Sequence, residues 1–261
     1  MTEGCSVLVR GLGETPSAIA RHLLLCGHIV ALHQSTPPEI LRRRMSYADV
    51  WHDGLAVLEE VESRLVSSQR QFVAALQSRM VLPALSVSFD EVVEKWPWDV
   101  IIDGRFPSVR DLEDQRDLAE LTIGLGEGFC AGKHVDLVIG TDDRDPGAVT
   151  HNGPAPPQSR ESLEGLVMAE ESGLFHTDLD IGARVKRGAI LGWMGARPVA
   201  SPLDGTLRGL RRNGSAIMQG SPLLEILPGE RIAIMGLRPR DRQIARAVEL
   251  VMTLAGHGPA L

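Results

Sequence analysis

The stretch Ser6-Val7-Leu8-Val9-Arg10-Gly11-Leu12-Gly13-Glu14-Thr15-Pro16-Ser17 sets the reading of the whole chain. Its first four residues form the short apolar run of a buried parallel strand. Gly11 and Gly13 then allow a tight turn with close backbone approach. Ile19, Leu23 and Cys26, with Ala20 and Leu24, recur at helical spacing, and Gly27 stops the helix. Ile29-Val30-Ala31-Leu32 begins a second apolar run. Strand, glycine loop, helix and strand with short connections make a βαβ unit. Free N–H groups at the start of the helix, reinforced by its dipole, suit an anion. Pro16 costs nothing in the first helical turn. The dinucleotide fingerprint G-x-G-x-x-G is broken, however, because Pro16 occupies its third glycine position. His33-Gln34 also stands where an acidic residue would meet a ribose.

Outward from this unit, Val81-Leu82-Pro83-Ala84-Leu85 reads as a strand and residues 90–95 as a short helix. Trp98-Asp99-Val100-Ile101-Ile102-Asp103 is another buried-strand candidate. Residues 118–123 lead into a second glycine loop, Gly124-Leu125-Gly126-Glu127-Gly128, and residues 135–139 form one more apolar run. Strands alternating with helices imply a mostly parallel sheet. Between residues 141 and 160 the prolines Pro146, Pro154, Pro156 and Pro157 crowd among Asp142, Asp143 and Asp145, as in a loop or linker.

Beyond the linker lies an internal repeat. Gly182, Val185, Gly188 and Leu191 match Gly214, Ile217, Gly220 and Leu223 at an offset of 32 residues. Each copy reads as a tight turn between short strands, with glycines where φ is positive. Two such units suggest the barrel-sandwich of lipoyl and biotinyl domains. The expected fold class is therefore α/β: a Rossmann-like, mostly parallel sheet followed by a small all-β lipoyl/biotinyl-like barrel. Residues 1–150 form the first domain, 151–170 a linker and 171–230 the barrel; 231–261 supply a strand and helix that pack back on the α/β domain. A carrier barrel presents a lysine at the tip of its central hairpin. The chain's three lysines are Lys95, Lys133 and Lys186, and the central segment from Trp193 to Ala200 has none. Covalent biotin or lipoate is not expected.

Composition narrows the function classes. Formal net charge is −7 and aromatic content 4%, which argues against phosphate-backbone binding and base stacking. Two arginine clusters, Arg42-Arg43-Arg44 and Arg238, Arg240, Arg242 and Arg246, read either as solvated helix faces or as docking points for an acidic or phosphorylated partner. Cys5, Cys26 and Cys130 form no CxxC pair, which fits a reducing compartment. The start shows no leader pattern and no apolar run has membrane-spanning length. A cytoplasmic protein without nucleic-acid or membrane partners, and able to form a homo-oligomer, is expected.

The chemistry-bearing residues gather in two loops and one strand end. The first loop offers Arg10, Gly11, Gly13, Glu14 and Ser17. Asp103 and Arg105 follow a strand, at the carboxyl end where α/β sheets bind ligands. The second loop offers Gly124, Gly126 and Gly128, with Lys133 nearby; it suits a phosphate or carboxylate but is not a Walker A loop. Cys130 reads as a buried thiol, a sulfur carrier or a metal contact. The histidines show neither H-x-x-x-H nor H-x-H, so no metal site is expected. No G-x-S-x-G elbow occurs, and no catalytic residue is assigned.

Together these segments carry a family resemblance. Val7-Leu8-Val9-Arg10-Gly11-Leu12-Gly13-Glu14 resembles the V-x-V-R-G-A-G-D start of the selenium-dependent molybdenum hydroxylase system proteins. Asp99-Val100-Ile101-Ile102-Asp103-Gly104-Arg105 is similar to their D-V-L-V-D-A-R, and residues 123–132 resemble their I-G-L-G-P-G-F-x-A-G. Residues 42–50 and the barrel segment resemble two further stretches. The sequence departs from the pattern at Glu14, Glu127 and His134 and at Thr15-Pro16-Ser17-Ala18. The resemblance implies a Rossmann-like half similar to that of xanthine dehydrogenase accessory proteins. It also implies a non-catalytic accessory or maturation factor for a molybdenum hydroxylase, binding a molybdopterin-type cofactor or a nucleotide. Its partners would be the client enzyme or cofactor-synthesis proteins. The alternatives are a nucleotide-dependent oxidoreductase or transferase, and a non-catalytic interaction scaffold.

Overall fold

The computed structural model describes residues 4–105, 112–158, 164–229 and 231–258. The chain divides into two compact units: Met1–Pro38, Ser46–Arg160 and Leu237–Leu261 form the first, and Glu39–Met45 with Glu161–Gly236 the second.

In the first unit the chain runs β1 (Ser6–Arg10), α1 (Glu14–Leu25), β2 (Ile29–His33), α2 (Val50–Asp53), β3 (Leu55–Leu58), β4 (Val61–Leu65), α3 (Gln69–Ser78) and β5 (Val81–Leu85). It continues through α4 (Phe89–Lys95), β6 (Val100–Asp103), β7 (Leu121–Leu125), β8 (Cys130–Ala131), β9 (Leu137–Ile139), β10 (Val149–Thr150) and β11 (Gly153–Pro154). The second unit holds β12 (Leu166–Met168), β13 (Gly173–His176), β14 (Arg184–Val185), β15 (Ile190–Met194), β16 (Arg197–Ala200), β17 (Gly205–Leu210), β18 (Ser215–Ile217) and β19 (Pro222–Leu227). The chain then returns to the first unit as α5 (Pro239–Leu254).

The first unit is built on a nine-stranded sheet of order β10-β9-β7-β6-β1-β2-β5-β4-β3. β1 lies inside it, parallel to β2 on one side and β6 on the other, and all five of its residues are buried. Alternation along β1 sends Val7 and Val9 into one core with Ile19 and Leu23 of α1 and Ile244 and Val248 of α5. Leu8 points to the opposite core, with Val92 of α4, Trp98 and Ile101. The apolar face of α1 thus follows its 3.6-residue spacing. Its end is a Schellman turn: Gly27 sits at φ +90°, and the N–H groups of Gly27 and His28 donate to the carbonyls of Leu24 and Leu23.

The second unit contains two four-stranded antiparallel sheets, β12-β19-β17-β14 and β16-β15-β13-β18. Both contribute to one core, including Phe175, Leu191, Leu207, Ile217 and Leu224. The repeat glycines Gly182, Gly188, Gly214 and Gly220 all have positive φ.

The expected fold class needs correction on two points. First, the large sheet is mixed rather than Rossmann-like. β3 pairs antiparallel with β4 at one edge, and β10 antiparallel with β9 at the other. The β3–β4 hairpin turns on Glu59 and Glu60, both with positive φ, so the glycine or asparagine that marks such a turn is missing. Glu59 is held there by the Leu237 N–H at 2.9 Å and by Arg242. Second, no separate lipoyl-type barrel is present among the described residues. The C-terminal strands stay in two sheets, and their unit includes Glu39–Met45 from far upstream. Leu210 N–H donates to the Leu41 carbonyl at 2.9 Å. Arg42 forms a two-pronged pair with Glu225 at 2.7 and 2.8 Å. Nothing local in the sequence announces contacts this remote.

Candidate functional site

The sheet places a row of polar residues at the carboxyl ends of four adjacent parallel strands. Registers pair Arg10 with His33, Arg10 with Asp103, and Asp103 with Gly124. From β1 the chain passes to β2, jumps to the edge strand β3 and works back through β4 and β5, then crosses to β6 on the other side of β1 and builds outward through β7, β9 and β10. Arg10 and Asp103 therefore flank the topological switch point, where open α/β sheets form their ligand crevice.

Arg10 is only 2% exposed. Its Nη1 donates to Asp103 Oδ2 at 3.1 Å and to Glu113 Oε1 at 2.6 Å. Its guanidinium carbon lies 3.3 Å from the centre of the Phe89 ring, a cation–π contact. Arg105 reaches Asp103 through Nε and through Nη2 at 2.7 Å, and the same Nη2 reaches Glu113 Oε1 at 3.1 Å. Gln115 Nε2 donates to Asp103 Oδ2 at 2.9 Å. Two guanidiniums and two carboxylates balance in charge. The Asp103 pair is sealed, whereas Arg105 and Glu113 are 28% and 40% exposed.

The environment sets the protonation states. Burial alone would raise the Asp103 carboxyl, but the hydrogen bond from Arg105 and the charge of Arg10 outweigh it and hold it below its ordinary value. Glu113 is likewise lowered, with burial overcome by the hydrogen bond and charge of Arg10. Burial pushes His33 down to about 4, against the opposing hydrogen bond to Val87. His33 is therefore neutral at pH 7, with Nε2–H donating to the Val87 carbonyl at 2.9 Å. Its Nδ1, together with Arg10 Nε and Gln115 Oε1, is buried with no protein partner. Such groups retain unused hydrogen-bonding capacity.

The glycine loops approach neighbouring parts of the chain closely. Gly11, at φ +106°, donates its N–H to the His33 carbonyl, and Gly104 donates to the Arg10 carbonyl. A Cβ on Gly104 would come within 2.5 Å of Pro16 Cγ and 2.9 Å of Leu125 Cδ1. A Cβ on Gly124 would overlap the Phe129 ring, and one on Gly126 would overlap Thr141 and Gln158. These glycines make room for the chain's own side chains. Gly13 caps α1 without a side-chain bond. Glu14 in the first turn lies 4.0 Å from Arg238. Ser17 is fully buried, bonding the Leu12 carbonyl and the Tyr47 N–H. Gly128 has a positive φ, and Lys133 is exposed in the turn after β8. Of the expected residues, the structure brings Arg10, Asp103 and Arg105 into one network. Glu113, Gln115, His33 and Phe89 complete it, and no spacing pattern in the sequence singles them out.

The arginine clusters are largely committed within their own units. Arg42 pairs with Glu225, Arg43 Nε donates to the Leu210 carbonyl, and Arg44 pairs with Asp180. Arg238 pairs with the buried Asp241, Arg240 with Asp143, and Arg242 with Glu59. Elsewhere in the first unit, Phe72, Trp96, Trp98, Val66, Leu85 and Val92 line an apolar cavity of about 220 Å³. Among the described residues no helix is long and apolar enough to cross a membrane.

No family model matches the chain. One curated relative, described as the uncharacterized protein YqeB of Escherichia coli strain K12, is 29% identical over 268 residues. The match covers 97% of this chain and 48% of the relative, so the chain spans about half the length of the curated relative it matches. Among solved structures, a succinylglutamate desuccinylase/aspartoacylase from Rhodobacter sphaeroides is 24% identical at a TM-score of 0.22, over 28% of this chain and 25% of that one. An aspartoacylase family protein from Mesorhizobium loti is 12% identical at a TM-score of 0.26, over 86% and 85%. The product-bound ectoine utilization protein EutE (DoeB) from Ruegeria pomeroyi is 16% identical at 0.23, over 81% and 61%. Superpositions this slight carry no argument on the fold or activity of this chain. The resemblance to selenium-dependent molybdenum hydroxylase system proteins is corrected by these findings: none of these matches carries that description. The accessory or maturation role drawn from it is withdrawn.

Proposed function

We propose that the first unit binds the anionic group of a small metabolite, a carboxylate or phosphate, at the carboxyl ends of β1 and β6. One observation carries the reading: Glu113 Oε1 bridges Arg10 Nη1 and Arg105 Nη2 at 2.6 and 3.1 Å. A single oxygen shared by two guanidiniums is what an anionic ligand would offer. Glu113 therefore stands in for the ligand in the free protein. When its carboxylate swings out, Arg10, Arg105 and Asp103 leave a net positive site facing solvent, and a monoanion restores neutrality. Asp103 and the Phe89 ring hold Arg10 in place, so the site is organised before binding.

Thermal unfolding of the full chain against inorganic phosphate, oxalate, succinate and uncharged analogues tests this. A ligand that binds only the folded state raises the melting temperature. Anions are expected to raise it, and Arg105→Ala to abolish the rise. A rise that survives in Arg105→Ala, or is equal for the uncharged analogues, would overturn the reading.

A further inference from the structure

The end of α1 meets α5 at a cluster that the anion site does not use. His22 Nε2 lies 2.7 Å from Glu249 Oε2 and 3.8 Å from Cys26 Sγ. The three donor atoms lie within 4.8 Å of one another. His22 and Cys26 stand one helical turn apart, so their side chains share a face, and Glu249 enters from α5. The Schellman turn at Gly27 then brings in His28, which is fully buried with neither ring nitrogen partnered. Burial lowers its ring below the ordinary histidine value, and the charge of Glu249 opposes this. Three groups able to bind one soft-to-borderline cation meet here.

We infer that His22, Cys26 and Glu249 form a zinc site that clamps the end of α1 to α5. Imidazole, thiolate and carboxylate are the donors zinc takes, at roughly 2.0–2.3 Å. Around a tetrahedral ion such donors stand roughly 3.4–3.6 Å apart. The His22–Cys26 separation already fits, and the Glu249 carboxylate has to withdraw by less than an ångström. In the free protein, burial and the neighbouring Glu249 push the Cys26 thiol up to about 11. The metal therefore displaces the thiol proton to solvent and replaces the Cys26 S–H bond by a metal–sulfur bond, with no change of oxidation state. The clamp joins residues 227 positions apart in sequence.

The test uses the 261-residue chain, freed of metal with a chelator and titrated with Co²⁺, then Zn²⁺. A cobalt–thiolate charge-transfer band is expected, bleached by Zn²⁺, with release of about one proton per metal. Cys26→Ser, a near-isosteric change at a half-buried position, is expected to abolish the band and leave the metal-free circular dichroism unaltered. His22→Gln and Glu249→Gln are each expected to weaken Zn²⁺ binding at least ten-fold, while Cys5→Ser and Cys130→Ser leave it unchanged. Absence of the band in the wild type would overturn the inference. So would a band that survives Cys26→Ser or disappears in Cys130→Ser.

Discussion

Glu225→Gln probes how the second unit holds Glu39–Met45. The carboxylate of Glu225 receives four charged N–H donors, two from Arg42 and two from Arg208, at 2.6–2.9 Å. Burial would raise it, but the hydrogen bonds of Arg42 and Arg208 prevail and hold it at about 2 against an ordinary value of 4.5. The side chain is 10% exposed, so solvent screens the pairs little. A depression of about 2.5 units at about 1.4 kcal/mol per unit gives about 3 kcal/mol of stability. The folded value is the lower one, so the contribution is complete above about pH 5 and fades as pH falls towards 2. By about pH 3 roughly 2 kcal/mol of it is gone. Urea unfolding of the wild type and Glu225→Gln, followed by far-ultraviolet circular dichroism, reads this. The expected gap is about 3 kcal/mol near pH 7 and less than half that near pH 3. A gap below about 1 kcal/mol at neutral pH, or one that does not change with pH, would refute the argument.

Three further outcomes follow from the first unit. Asp103→Asn leaves Arg10 buried with only the half-exposed Glu113 as counter-charge, and is expected to cost about 3–5 kcal/mol in urea unfolding; a loss below about 1 kcal/mol would mean that the network re-forms without it. Gly124→Ala drives a methyl into the Phe129 ring and is expected to cost about 1–3 kcal/mol, with partial recovery in a Gly124→Ala, Phe129→Leu double variant. His33 stays neutral in the fold down to about 4, whereas an unfolded histidine protonates near 6.5. Acid therefore favours the unfolded chain through this group, by about 3 kcal/mol as pH falls from about 6.5 to about 4. A His33 ring that titrates near 6.5 by NMR would contradict this.

Local sequence pattern disclosed the strands that carry the Arg10–Asp103 network. The apolar run at residues 6–9 forms β1, Ile29-Val30-Ala31-Leu32 lies within β2, and residues 100–103 form β6. Continuous apolar runs have few other homes than a sheet interior. The edge hairpin β3–β4 escaped because its strands are short and its turn carries two glutamates at positive φ, held by remote partners. Arg10 and Asp103 were each singled out, one beside the first glycine loop and one at a strand end, but not as partners. Glu113, Gln115 and Phe89 reach the network from loop and helix positions that share no spacing with it. Glycine permits close approach by any neighbour, and Pro16, Phe129 and Thr141 are such neighbours of Gly104, Gly124 and Gly126. The pair His22 and Cys26 shows the i, i+4 spacing of a helical metal site, but its third member lies on α5 at Glu249.

The central claim is that Glu113 occupies the place of an anionic ligand. Calorimetric titration of the wild type and Glu113→Gln with one binding anion, at matched ionic strength, tests it most directly. Removing a part-exposed competing carboxylate worth about 1 kcal/mol is expected to tighten binding about five-fold. Unchanged or weaker binding in Glu113→Gln would contradict the claim.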